Sequence, residues 1–142
     1  MRVRSASTIV GVCLALATSV AAQPVRVPLD QETTVGDIPV ACTGIGQTKN
    51  DPKWLAYPVR VEFADAEHAY LADETISLAD AHGHQLLDVA CEGPWILLKL
   101  PPRVAYRVEG RLRDPSVPPV SATVKAPSHG QTRFVLTFPV NP

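Results

Sequence analysis

From Pro58 onward, apolar residues recur at every second position in short runs broken by proline and glycine, a pattern that leaves little alternative to stacked β-sheets. Val59, Val61 and Phe63 alternate with Arg60 and Glu62, and Ile76 and Leu78 with Thr75 and Ser77. Leu87, Val89 and Cys91 share a face on the next run, and Asp80-Ala81-His82-Gly83-His84 between the two predicts a β-hairpin. Ile96, Leu98 and Leu100 follow, then Tyr106, Val108 and Leu112, then Val120 to Ala126, and finally Phe134, Leu136 and Phe138. Each run is apolar on one face and polar on the other, so two sheets must stack to bury what one would expose. Six or seven strands at roughly 8 to 12 residue spacing therefore predict an all-β sandwich. The 14 prolines agree, since they exclude long helices and stiffen turns.

The densest stretch is Leu87 to Pro102, LDVACEGPWILLKLPP. It reads as two apolar strands joined by a Glu92-Gly93-Pro94 turn, with Pro101-Pro102 ending the second by removing two donors. The expected core is Val61, Phe63, Ile76, Leu78, Leu87, Val89, Leu98, Leu100, Tyr106, Val108, Val124, Phe134 and Leu136, with Tyr70 and Leu71 as inward anchors of the connection after Phe63. Truncating Leu98 or Phe134 to Ala is expected to cost roughly 2 to 5 kcal/mol.

The amino-terminal part reads differently. Arg2 and Arg4, the apolar run Ile9 to Ala17 and the small residues Ser19 to Ala22 predict a signal peptide over 1–22, cut after Ala22 or Ala21. The apolar run is too short for a ~20-residue membrane span, and Cys13 lies before the cleavage zone. Residues 23–57 read as a polar arm and loop, with an edge strand near Val25 to Val27 or a flexible segment. Asn50-Asp51-Pro52 predicts one helical turn that Pro58 stops. Residues 58–142 form the sandwich domain. Without Arg2 and Arg4, 11 basic residues face 14 acidic ones, which leaves no basic footprint for nucleic acid or an anionic membrane.

Export removes Cys13 and leaves Cys42 and Cys91, a pair that in an oxidising compartment reads as a disulfide, the alternative being two buried thiols. The mature protein is expected in the periplasm or outside the cell.

Several motifs in this order carry a family resemblance. Tyr70-Leu71-Ala72-Asp73, Ile76-Ser77-Leu78-Ala79-Asp80 with Gly83, Cys91-Glu92-Gly93-Pro94-Trp95, and Leu100-Pro101-Pro102 before Tyr106-Arg107-Val108 are similar to those of carboxypeptidase regulatory-like domains of exported bacterial proteins. The resemblance spans about Val59 to Pro139 and implies a seven-stranded Greek-key β-sandwich of transthyretin type, without catalytic residues, acting as a structural or interaction module. The chain departs from that pattern where Arg103 replaces the glycine expected after Pro102, so the turn must be made without glycine, as a wider loop or bulge.

Candidate sites are few. His82 and His84, with Asp80 or His68, are the candidates for a weak metal site, but histidine and aspartate are ordinary turn residues and no further ligand spacing fixes a geometry, so a solvated hairpin tip is the preferred reading. Neither a cysteine nucleophile nor a nucleotide loop at Gly44-Ile45-Gly46 has the flanking chemistry it needs. The transthyretin fold also hosts 5-hydroxyisourate hydrolase, but its C-terminal Tyr-Arg-Gly-Ser is absent from the ending Phe138-Pro139-Val140-Asn141-Pro142. No cofactor is expected. Trp54, Tyr57, Tyr70 and Trp95 either cover the sandwich and its bridge or form an aromatic surface for a glycan or extended peptide, with Arg103 and Lys53 at its rim. The expectation is a noncatalytic envelope module with a protein partner, the alternative a carbohydrate or cell-wall binder.

Overall fold

The computed structural model describes residues 22–140. The predicted signal peptide and Cys13 thus lie outside the described residues, apart from Ala22. Ten strands form two five-stranded sheets rather than the expected seven strands. In chain order they are β1 (Val25–Val27), β2 (Glu32–Val35), β3 (Ile38–Thr43), β4 (Val59–Ala64), β5 (Glu74–Ala79), β6 (Gln85–Cys91), β7 (Trp95–Leu98), β8 (Ala105–Arg111), β9 (Val120–Lys125) and β10 (Thr132–Thr137). Sheet I has the order β1-β6-β5-β8-β9 and sheet II the order β10-β4-β7-β3-β2. Both are mixed: β1 runs parallel to β6 and β10 parallel to β4, and the other pairs are antiparallel. Among the described residues no helix is long and apolar enough to cross a membrane.

The alternation seen in the sequence becomes the division between core and surface. In β5, Glu74, Ile76 and Leu78 are buried and the residues between them are half-buried; β6 buries Leu87, Val89 and Cys91 on the facing register. These two strands form the predicted hairpin. Every expected core residue is buried except Phe134, which is only half-buried because β10 is an edge strand. Tyr70, expected to point inward, is 47% exposed, and Leu71 is partly buried against the core. Leu98→Ala is accordingly expected to lower the unfolding free energy by about 3 kcal/mol, and Phe134→Ala by less than half as much, in urea titrations of the two variants.

Two further expectations are corrected. The segments either side of Glu92-Gly93-Pro94 do not pair with each other: β6 lies in sheet I and β7 in sheet II, so the turn carries the chain across the sandwich. It passes so close to β3 that a Cβ on Gly93 would overlap the Thr43 carbonyl, which only glycine avoids. The segment read as an arm supplies three strands, with β1 at the edge of sheet I where an edge strand was expected, and β2 and β3 completing sheet II. β3 escaped the periodic pattern because four consecutive residues, Val40 to Thr43, are buried on both faces and Pro39 interrupts it. β2 is a short polar edge strand.

Cys42 on β3 and Cys91 on β6 form a disulfide with Cα atoms 5.6 Å apart. It joins the two sheets across the core. In the connection between β7 and β8, where no glycine follows Pro102, Arg103 itself adopts a φ of 65°, a conformation that favours glycine. Its amide donates to the Ala126 carbonyl at 3.0 Å and its Nε to Ser128 Oγ at 2.7 Å, contacts that hold an unfavourable backbone in place.

Candidate functional site

The outer face of sheet II gathers five of the six aromatic and rim candidates, Trp54, Tyr57, Tyr70, Trp95 and Lys53. The predicted turn forms as a 3₁₀ segment, Pro52–Ala56, started by Asp51, whose Oδ1 accepts the Lys53 amide at 2.9 Å. This turn lays Trp54 and Tyr57 over the outward residues Ala41 of β3 and Leu97 of β7. That cover explains why all four residues of β7 are buried although the strand has two faces. Trp54 and Tyr57 rings lie 6.2 Å apart, and Trp54 Nε1 donates to the Thr48 carbonyl at 2.7 Å. Gln131, just before β10, ties the turn down by donating to the carbonyls of Trp54 and Tyr57, both at 2.9 Å.

Beside this cluster, Trp95 meets Tyr70 edge-on with ring centroids 6.0 Å apart. Arg60 lies over the Trp95 ring at 4.4 Å. Glu62, next outward on β4, is fully buried under the same group. Arg133 Nε donates to Glu62 Oε2 at 2.6 Å, and the Tyr70 hydroxyl reaches the same oxygen at 3.3 Å. Arg60 Nε lies 2.9 Å from Glu62 Oε1 but off line for a hydrogen bond. Two guanidinium groups thus neutralise a carboxylate that could not remain buried alone. In return the Glu62 bond holds the Arg133 proton more tightly than usual.

At the other side of the face, the Tyr57 hydroxyl donates to Glu32 Oε2, which also accepts from Lys99 Nζ at 3.1 Å. The Tyr57 bond first and the Lys99 bond second lower the Glu32 carboxyl from its ordinary range, while burial and then the Glu32 bond push the Tyr57 hydroxyl up. Lys99 also sits over the Tyr57 ring at 4.7 Å, and Lys53 over Trp54 at 4.4 Å. Each indole or phenol face on this side is therefore already occupied by a cation.

Trp54 and Trp95 are 5% and 9% exposed, so their rings act mainly as cover. Between them runs a groove of about 240 Å³, lined also by Lys49, Leu55, Arg60 and Gln131. Leu55 at its lip is 67% exposed. The remaining candidate, Arg103, lies apart on the β7–β8 connection, bonded to Ser128, and lines none of this groove.

The histidine candidates sit at the β5–β6 hairpin tip. Asp80 Oδ1 accepts the amides of His82 and His84 at 2.9 Å, and Oδ2 lies 3.1 Å from His84 Nδ1. The His84 amide, first among these contacts, lowers the Asp80 carboxyl. The two imidazoles are 6.1 Å apart, and no group of three or more possible ligands gathers among the described residues. The tip is thus built by Asp80 as a turn, which gives the histidines a structural reason for their spacing.

The sequence reading missed the free edge of β10 and the buried Glu74. β10 pairs only with β4, in a parallel ladder from Thr132–Val59 to Thr137–Ala64. Thr132 donates to Pro58, just before β4, and Phe138 to Ala64 at its end, so the main-chain groups of Arg133, Val135 and Thr137 face away from β4. Val135 is 40% exposed, and neither proline nor a bulge interrupts the strand. Glu74 begins the inward series of β5 and is fully buried, with no hydrogen-bond partner on either carboxyl oxygen. No protein-family model matches the chain, and none of the curated proteins is significantly similar to it.

Proposed function

We propose that this chain is a noncatalytic, exported module of the cell envelope, a transthyretin-type sandwich akin to carboxypeptidase regulatory-like domains, which binds a protein partner along the free edge of β10. The observation that carries this reading is the six-residue edge itself, whose outward amides and carbonyls have no strand partner among the described residues. Natural sheets usually blunt such edges with proline, bulges or several charges, and β10 carries only Arg133. An extended segment of a partner added to this edge would satisfy those groups and extend sheet II by one strand. The amino-terminal segment of signal-peptide type and the Cys42–Cys91 disulfide support an oxidising compartment. A carbohydrate-binding role is less well supported, because stacking sugars need bare ring faces and those of Trp54 and Trp95 are covered by Lys53 and Arg60.

The test is capture of partners from a native envelope extract followed by amide exchange on the purified complex, with a glycan array in parallel. Slowed exchange at Arg133, Val135 and Thr137, with the amides of the β4–β10 ladder unchanged, is the expected outcome. A complex in which those three amides exchange as in the free protein refutes the edge, and glycan binding without protein capture replaces the reading by its alternative.

A further inference from the structure

The free edge of β10 has a sequence that fits itself. Phe134 and Leu136 turn towards the core, and Arg133, Val135 and Thr137 lie exposed on the outer face of sheet II. The same three outward residues carry the main-chain groups that face away from β4. When two strands meet antiparallel, such residues exchange both hydrogen bonds wherever they stand directly opposite one another. With Val135 opposite its counterpart in a second copy, Arg133 falls opposite Thr137 and Thr137 opposite Arg133, so all three find partners. Sliding the register one way puts Arg133 opposite Pro139, which has no N–H, and sliding it the other way puts Thr137 opposite Gln131, before the strand begins.

The side chains agree with the same register. On the outer face Val135 meets Val135, while the two Arg133 side chains lie at opposite ends of the pair and never face each other. On the inner face Phe134, left half-buried at the edge, lies opposite Leu136 of the second copy. The edge also calls for an uncharged partner: Arg133, its one ionised residue, is already bonded to Glu62 at 2.6 Å. Beyond the strand the tail turns back, with the Val140 carbonyl accepting the Ala66 amide at 3.4 Å beside the end of β4. The other edges suit pairing less, since β1 and β2 have three and four residues and β9 ends on the exposed Lys125.

We propose that two copies of this chain pair antiparallel along β10, about a two-fold axis through Val135 normal to sheet II. The two five-stranded sheets then run on as one, with core faces continuous. This rests on the reading of β10 as a protein-binding edge and names the partner as the chain itself.

The test is sedimentation equilibrium of the purified protein from about 1 μM to about 1 mM, the range in which a small interface associates. The mass is expected to rise from one chain towards two, and exchange at the Arg133, Val135 and Thr137 amides to slow over the same range. Val135→Pro deletes the central outward amide of both copies and touches no bond to β4, so it should weaken the dimer about tenfold. Thr137→Glu sets a carboxylate opposite Arg133 of the second copy, twice per dimer, and should tighten it about fourfold, the size of two exposed ion pairs. Urea midpoints of the variants check their folds; should the proline variant prove destabilised, Thr137→Glu alone decides. A protein that stays monomeric throughout overturns the proposal, as does a dimer whose affinity Thr137→Glu leaves unchanged or lowers. Slowed exchange at the three amides only when a different envelope protein is captured also overturns it, while leaving the edge reading intact.

Discussion

Replacing Cys42 and Cys91 together by alanine is expected to lower the unfolding free energy by about 4 kcal/mol, read as a shift of the urea midpoint relative to the oxidised protein. The bridge closes a loop between residues 49 apart in sequence, and that loop contains β4, β5 and β6. Cross-linking it removes a large share of the conformations open to the unfolded chain. The native state gains a second restraint, because Cys42 and Cys91 belong to different sheets and both are buried in the one core. Without the bridge, the sandwich depends on apolar packing alone to keep β3 opposite β6. Reduction of the native protein should reproduce most of the loss once unfolding has exposed the bridge. A loss below 1 kcal/mol would mean that the crosslink adds almost nothing to a sandwich already held by its core.

Glu74→Gln is expected to leave stability unchanged near pH 4 and to raise it by up to about 4 kcal/mol at pH 8, an upper figure taken from the proton affinity of the carboxyl. Burial, the largest cause, pushes the Glu74 carboxyl up from 4.5 to about 8; its own main-chain amide offsets part of this and the charge of Asp73 adds to it. In the unfolded chain the group ionises near 4.5, whereas in the fold it keeps its proton to about 8. Folding therefore takes up a proton across that window, and stability falls as pH rises through it, reaching a floor above about 8. Glutamine keeps the shape and cannot ionise, so the variant should lose this slope. Denaturant titrations at half-unit steps from pH 4 to 8.5 measure it, and parallel curves for the two proteins would show that Glu74 ionises in the fold as it does in water.

Strands β5, β6, β8, β9 and β10 were legible because each is wet on one face or lies at an edge, which imprints period two on the sequence, and β4 because polar Arg60 and Glu62 stand between its apolar residues. β3 was not, since its second half is buried on both faces and carries no alternation. Glu74 could have been found: it stands at i, i+2, i+4 spacing with Ile76 and Leu78, so the pattern already puts a carboxyl on the inner face. Glu62 is different. Its outward position was readable, but its burial comes from Arg133 and Tyr70, which only folding brings to it. The aromatic candidates could be named from the chain, while their convergence on one face depends on the turn Pro52–Ala56 folding over β7.

By itself the sequence determined the all-β class, the β5–β6 hairpin and the inward residues of most strands, and it offered Cys42 and Cys91 as a pair that the structure then joined. These follow from local chemistry: side chains alternate across a strand, prolines deny donors, and two cysteines in one domain are each other's first candidates for a bridge. Only the tertiary structure decided that Glu92-Gly93-Pro94 crosses between sheets instead of closing a hairpin, that the amino-terminal arm completes both sheets, and that β10 is left with a free edge. The physical reason is that a turn specifies how the chain reverses, not which strand it will meet. That choice belongs to apolar faces distant in sequence, and it is made when they are buried together.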